Sequence, residues 1–300
     1  MSTFKYWVQA ARLRTLPLSV SGIIVGSSLA AYNGFFDWQI FIFAILTTIS
    51  LQVLSNFAND YGDGVKGTDN EDRIGPKRAL QSGNISAEQM LEAIKKNILV
   101  CIVLSLGLIY SAFGSKHLVY ALVFFVIGLL SIYAAIKYTM GSNAYGYKGL
   151  GDVFVFLFFG LVSVIGSYVL YSKQIDHVTF LPACTLGLLS AAVLNLNNMR
   201  DIDSDRKAEK NTLVVKLGSE KAKKYHYFLI VSAIISSVLF GILYYNSVFN
   251  LLFFIAYIPL FLHLKKVKNN TEPVALDPEL KKLALTTFLL AILLAVGHLL

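Results

Sequence analysis

The stretch QIFIFAILTTISLQVLSNFANDYGD, Gln39 to Asp63, decides the fold. From Gln39 to Asn59 it holds no Asp, Glu, Lys or Arg, and it closes on Asn56, Asn59, Asp60 and Asp63, with Lys66 and Asp69 just beyond. A run of that length crosses the hydrocarbon core as a helix, at about 1.5 Å per residue. Carboxylates at the end of such a helix are costly unless something cationic offsets them. A second stretch repeats the pattern. His177–Met199 carries no Asp, Glu, Lys or Arg and leads into Arg200-Asp201-Ile202-Asp203-Ser204-Asp205-Arg206.

Working outward, uncharged runs at Thr15–Gly34, Asn97–Ser115, His117–Ile136, Val153–Ser172 and Leu283–Leu300 each predict a further span. Tyr225–Leu264 is long enough for two, with Tyr244–Ser247 as the hairpin between them. The expectation is an all-α polytopic membrane protein of nine transmembrane helices. Composition agrees: 56% of the 300 residues are hydrophobic and 15% charged, where soluble domains carry about 25% charged residues. The many Phe and Tyr suit lipid-facing and interfacial surfaces.

All but Lys116 and Lys173 of the 26 Lys and Arg fall in alternate loops, which the positive-inside rule places in the cytoplasm. This orientation predicts a plasma-membrane protein with its N-terminus inside and Leu300 on the opposite side. The net charge of +8 is thereby explained by topology, and no nucleic-acid partner is expected. All but Asp37 and Asp176 of the 18 acidic residues lie on the same side. Positive-inside topology does not require that, so the chemistry is expected on one face. No cleavable signal peptide is expected. Cys101 and Cys184 sit in different apolar runs and read as packing residues. The chain reads as one domain, 1–300, with a positional pseudo-repeat of helices one to four and five to eight.

If the helices continue to their ends, Asn59 and Asp63 share a face at i, i+4, as do Asp201 and Asp205, with Asn198 one turn earlier. Magnesium takes hard oxygen ligands and typically uses one or two carboxylates, completing its shell with water and substrate phosphates. Two such pairs suit magnesium ions bridging a diphosphate. The interleaved Lys66, Arg73, Arg78, Arg206 and Lys210 could grip phosphate oxygens. The loop Gly146–Asp152 permits close backbone approach to a ligand through its glycines and offers Tyr147, Lys148 and Asp152. The Walker, HExxH and GxSxG motifs are absent. The five histidines lie near span ends, outside the acidic motifs. A secondary transporter would place its ionisable residues near the midplane and break its helices in related positions. This chain keeps its acids at one edge.

At these residues the chain resembles the UbiA superfamily of intramembrane aromatic prenyltransferases. Asn59 and Asp63 match that family's NxxxD motif after helix two, and Asp201 and Asp205 match its DxxxD motif after helix six. The loops Ala11–Pro17, Asn59–Asp69, Asp72–Pro76, Gly146–Asp152 and Asn197–Gly218 are most similar to the branch acting on 1,4-dihydroxy-2-naphthoate in menaquinone biosynthesis. The 4-hydroxybenzoate branch usually has another acidic residue four positions after Asp63. Gly67 stands there, with Asp69 nearby.

The resemblance implies a nine-helix bundle whose active site opens to the cytoplasmic side. It also implies Mg2+ and a polyprenyl diphosphate that ionises for capture by the naphthoate ring, with loss of the ring carboxylate and a proton. Asn59, Asp63, Asp201 and Asp205 are the expected metal ligands. Asp60, Asp63, Asp69, Asp201 and Asp205 form the expected catalytic set, with Asp152 as a proton-accepting or substrate-orienting candidate. Substrate contacts are expected from Asn56, Asn59, Lys66, Arg73, Arg78, Tyr145, Tyr147, Lys148, Asn198, Arg206 and Lys210. Arg12 and Arg14 are candidates for pairing with the naphthoate carboxylate. Membrane lipid is the surrounding partner, and 4-hydroxybenzoate is the alternative acceptor.

Overall fold

The computed structural model describes residues 3–69 and 74–300. Among these, nine helices are long and apolar enough to cross a membrane: Phe4–Tyr32, Trp38–Val65, Ala87–Phe113, Leu118–Lys137, Gly151–Ser172, His177–Arg200, Ser219–Leu243, Val248–Lys268 and Pro273–Leu299. They are called the first to ninth spans here. The expected hairpin at Tyr244–Ser247 falls between the seventh and eighth.

The third span begins ten residues before the uncharged run that predicted it, at Ala87 rather than Asn97. Ser86 and Gln89 form a reciprocal capping box, so the charged turns carrying Glu92, Lys95 and Lys96 continue the helix beyond the apolar run. Asp37 caps the second span by accepting from the backbone N–H groups of Gln39 and Ile40 at 2.7 and 3.2 Å.

The first span is jointed. Thr3–Ala11 is one helix, Arg12 adopts a left-handed conformation at φ 50°, and the helix resumes at Leu16 with Pro17 in its first turn. The second span braces this elbow. The Asn56 amide donates to the Ala11 carbonyl at 2.9 Å and to Thr15 Oγ1 at 3.2 Å.

Two apolar cores hold the bundle. One joins the first, second, third, fifth, sixth, seventh, eighth and ninth spans, and the other joins the N-terminal helix to the second, third and fourth. In lipid, apolar side chains gain little from leaving the bilayer, so small residues that allow close backbone approach carry helix association. Gly160 on the fifth span abuts Gly187 on the sixth, and Gly22 and Gly26 on the first face Ser163 and Val164 on the fifth. That fifth span is π-helical from Phe156 to Gly166, a widened form that often marks functional sites. The outward faces of the third, fourth, seventh and eighth spans are paved with exposed Leu, Val, Ile and Phe, as a lipid-facing surface requires.

The fourth span packs on the second and third. A cavity of about 320 Å3, whose lining is mostly apolar, is walled mainly by the second, fourth and fifth spans, with the first, third and sixth contributing.

Candidate active site at the charged end of the bundle

The second span stays helical to Val65, past its apolar run, so Asn59 and Asp63 do share a face. The sixth span ends at Arg200, and a short helix, Ile202–Lys207, follows the bend at Asp201. The Asp205 N–H still donates to the Asp201 carbonyl at 2.8 Å, which keeps the helical spacing across the bend.

Three segments far apart in sequence meet here. Lys210 Nζ lies 3.2 Å from Asp63 Oδ2 and 3.9 Å from Asp205 Oδ1, so one ammonium joins the two acidic motifs. The Tyr147 hydroxyl donates to Asp63 Oδ1 at 2.8 Å and lies 2.5 Å from Thr68 Oγ1. Lys66 Nζ donates to the Thr139 carbonyl at 2.7 Å and stands 4.0 Å over the Tyr147 ring. Thr139 in turn donates to Asn59 Oδ1 at 3.2 Å and to the Ala58 carbonyl at 2.9 Å. Asn59 lines the apolar cavity, as do Tyr138 and Tyr145.

Electrostatics follows the geometry. Burial opposes the charge on Lys210, but Asp63 and then Asp205 outweigh it and hold the ammonium above the ordinary lysine range. The stability it contributes is therefore fully present at neutral pH and is lost only as pH rises through that elevated value. Burial and then the charge of Asp63 push the Tyr147 phenol up, so it remains a donor. Tyr138 is pushed up by burial and then by Asp152.

Lys66 goes the other way. Burial lowers it, Asp63 only partly offsets that, and Lys210 and Lys137 repel its charge. Lys66 should thus be the first cation of the cluster to neutralise as pH rises. An alkaline fall in kcat/KM is expected to begin below the ordinary lysine range and to move upward in Lys66→Arg, measured as a pH–rate profile. An unchanged profile in that variant would remove Lys66 from substrate binding.

The remaining candidates are distributed as follows. Both Asp201 oxygens accept from Arg200, at 2.8 Å from Nε and 2.6 Å from Nη2, and Arg200 Nη1 reaches Asp277 at 2.6 Å. This clamp ties the sixth span to the start of the ninth. Asp60 accepts from the N–H groups of Ala79 and Leu80 at 3.2 and 3.5 Å and so folds the following loop back on the second span. Arg78 lies 3.7 Å from Asp69. Asn198 is buried one turn before Asp201. Asp152 is buried at the start of the fifth span, with Oδ1 lacking a hydrogen-bond partner. Tyr145 stacks on Phe154 at 4.0 Å and donates to the Ala134 carbonyl at 2.8 Å. Arg12 acts electrostatically on Tyr138 from the elbow. Arg14, Lys148 and Arg206 are exposed; Lys148 donates to Asn143 and Arg206 faces Asp203. Arg73 lies outside the described residues.

Sequence reading missed Thr68, Tyr138, Thr139 and Phe154. None belongs to an acidic motif. The only available signal was the hydroxyl and aromatic content of loops flanking the motifs.

No three His, Cys, Asp or Glu side chains converge on one point among the described residues. Magnesium does not demand that, since one or two carboxylates with water and phosphate suffice. Asp63 and Asp205 are both buried and both oriented on one cation, the Lys210 ammonium. This hard-oxygen donor set fits a divalent metal.

Comparison with known proteins agrees with this geometry. The model of the UbiA prenyltransferase family matches residues 19–289. A 1,4-dihydroxy-2-naphthoate octaprenyltransferase of Escherichia coli (strain K12) is 42% identical over 298 residues, which is 99% of this chain and 96% of that protein. Two solved structures share the fold. The apo structure of a UbiA homolog from Aeropyrum pernix K1 superposes with a TM-score of 0.72 at 15% identity, over 95% of this chain and 97% of that one. A UbiA homolog from Archaeoglobus fulgidus bound to DMAPP and Mg2+ gives 0.67 at 14% identity, over 98% and 99%. With its two acidic motifs joined at one end of a nine-span bundle, this chain belongs to the UbiA prenyltransferase family.

Proposed function

We propose that the protein transfers a polyprenyl group from a polyprenyl diphosphate to 1,4-dihydroxy-2-naphthoate, with decarboxylation, giving demethylmenaquinol. The observation that carries this reading is the Asp63–Lys210–Asp205 cluster, with Asp63 one helical turn beyond Asn59, which itself lines a mostly apolar cavity. A polyprenyl diphosphate has the same polarity, with a charged head and an apolar tail. The acceptor is argued from the 42% identity to the naphthoate enzyme over nearly the whole chain.

Asp63, Asp205 and Asn59 would hold magnesium, with Asp201 joining if Arg200 releases it. Bound there, the metal supplies positive charge to the departing diphosphate. Lys210, Lys66 and Arg78 face the same anion. The allylic C–O bond breaks and its electron pair leaves on diphosphate. A ring carbon then forms the new C–C bond. Departure of the carboxylate as CO2 returns its bonding pair to the ring, so no net proton is released, and the proton loss expected from sequence is not required. Tyr138, Tyr145 and Phe154 line the cavity and present π faces to the allylic cation. Exclusion of water by this apolar wall protects that cation from hydrolysis. Asp152 and Arg12, which both act electrostatically on Tyr138, are proposed to orient the acceptor. By the bias in basic loops, the site faces the cytoplasm.

The deciding experiment supplies purified protein with magnesium, a polyprenyl diphosphate and either acceptor. Prenylated naphthoquinol is expected from dihydroxynaphthoate and not from 4-hydroxybenzoate. The reverse preference would overturn the acceptor assignment, and no product from either would overturn the reaction.

The tail path gives a further expectation. Gly166 lies deep in the cavity, where an added Cβ would meet Phe124 and Val162 only at 3.9 Å. Gly166→Leu should therefore fold but fill the tail path. Its kcat/KM for a long donor should fall roughly tenfold relative to geranyl diphosphate. An unchanged ratio would show that the tail leaves the cavity before reaching Gly166.

A further inference from the structure

A second groove lies between the eighth and ninth spans, on the same charged end of the bundle, and shares no lining residue with the cavity beside Asn59. Its rim carries Lys266 and Lys282, both exposed. Below them its wall is made of Pro259, Leu262, Leu285 and Leu289. Leu262 and Leu285 are 65% and 43% exposed, open to lipid rather than buried in the core.

The polar part of the groove is held by a buried chain of side chains that the prenyl site does not use. Lys282 Nζ donates to Glu279 Oε1 at 2.7 Å, and Glu279 Oε2 lies 2.8 Å from His263 Nδ1. His263 Nε2 lies 2.9 Å from Nε2 of His226 on the seventh span. Glu279, His263 and His226 are each at most 3% exposed. This chain fixes the Glu279 carboxylate, which anchors Lys282 at the rim while leaving its ammonium exposed. Glu279 neutralises one of the two lysine charges. Lys266, on the facing helix, makes no ion pair among the described residues, so the rim keeps a net positive charge.

We infer that this groove binds an anionic phospholipid of the leaflet on the charged face. The lysine rim would take its phosphate, and the Pro259–Leu262–Leu285–Leu289 wall one acyl chain. Charge and apolarity are stacked along the bilayer normal in the order of a phospholipid. Basic sites between membrane helices gain about 1 kcal/mol per lysine from anionic headgroups. A soluble phosphate would satisfy the rim but leave the exposed apolar wall unused.

The test is native mass spectrometry of the purified full-length protein, titrated with phosphatidylglycerol or with phosphatidylcholine of the same acyl chains. The wild type should retain phosphatidylglycerol at concentrations roughly five-fold lower, the ratio that one net lysine charge at about 1 kcal/mol would give. The Lys266→Ala/Lys282→Ala variant should lose that preference. Lys221→Ala/Lys224→Ala, at exposed lysines opening the seventh span, should keep it. Leu262→Gln/Leu289→Gln should weaken retention of both lipids. Equal retention of the two lipids by the wild type would overturn the inference. So would a preference that survives loss of Lys266 and Lys282, or displacement of phosphatidylglycerol by glycerol phosphate at comparable concentration. The readout is lipid mass on the intact protein, so it is independent of the acceptor assigned above.

Discussion

Asp63→Ala and Asp205→Ala should each lower turnover by about three orders of magnitude while leaving the bundle folded. The two carboxylates share the Lys210 ammonium, and Asp63 also holds the Tyr147 hydroxyl. Removing either one leaves a cluster with the wrong charge to hold a metal–diphosphate head. Loss of one preorganised electrostatic contact in an excluded site already costs about 10^2–10^3 in rate, and these residues affect both metal and lysine. Folding should survive because neither the Asp63 nor the Asp205 side chain belongs to the apolar cores. Tyr147 keeps its contact with Thr68, and Lys210 keeps one carboxylate. The control is Asp203→Ala. Asp203 lies between Asp201 and Asp205 in sequence, but its side chain is 72% exposed and faces Arg206 at 3.7 Å. Exposed pairs of that kind contribute about 0–1 kcal/mol, so this variant should turn over like the wild type. Diphosphate release and the midpoint of thermal inactivation, measured on the same preparations, separate the two effects. Magnesium-dependent turnover persisting in both Asp63→Ala and Asp205→Ala would remove the two-motif site.

Gly160→Val should be strongly damaging in the membrane interior. A Cβ at Gly160 would sit 2.6 Å from the Ala183 carbonyl oxygen and 2.7 Å from Gly187 Cα, both on the sixth span. Those are backbone atoms and cannot rotate away, so the two helices must separate. Overpacking a tight contact costs about 1–3 kcal/mol, and here it also withdraws the fifth span from the helix that carries Asn198 and Asp201. The midpoint of thermal inactivation should fall by about 5 °C or more, with activity lost alongside. Gly128→Ala is the comparison: its nearest neighbour, Ser105, lies at 3.9 Å, so it should be close to neutral. A Gly160→Val protein as stable as the wild type would show that the fifth and sixth spans tolerate separation.

The nine spans were legible because hydrocarbon imposes a simple rule: a helix crossing it must be apolar for about 20 residues. Even the Tyr244–Ser247 hairpin followed from the length of one run. Span ends were less legible where polar residues continue a helix, as at Ala87, since only the Ser86–Gln89 box marks that start. In the site, Asn59, Asp63 and Asp205 stood out because carboxylates and amides at an apolar edge are energetically conspicuous. Asn56 and Asp60 stood out for the same reason, yet they brace the Ala11–Thr15 elbow and the Ala79–Leu80 turn. Composition alone cannot separate an acid that awaits a ligand from one that accepts backbone N–H groups.

The sequence by itself determined the number of spans, the concentration of charge on one face, and the two acidic motifs with their helical spacing. These depend on local periodicity and on the solvent, and both can be read residue by residue. Tertiary structure decided which groups meet. It put Lys210 between Asp63 and Asp205 and Tyr147 against Asp63. It gave Asp201 to Arg200 and opened a cavity among the second, fourth and fifth spans. Those pairings join residues up to 147 positions apart. They depend on which helices pack and how closely, and that is settled by side-chain volume at contacts such as Gly160 against Gly187 rather than by any pattern along one strand of sequence.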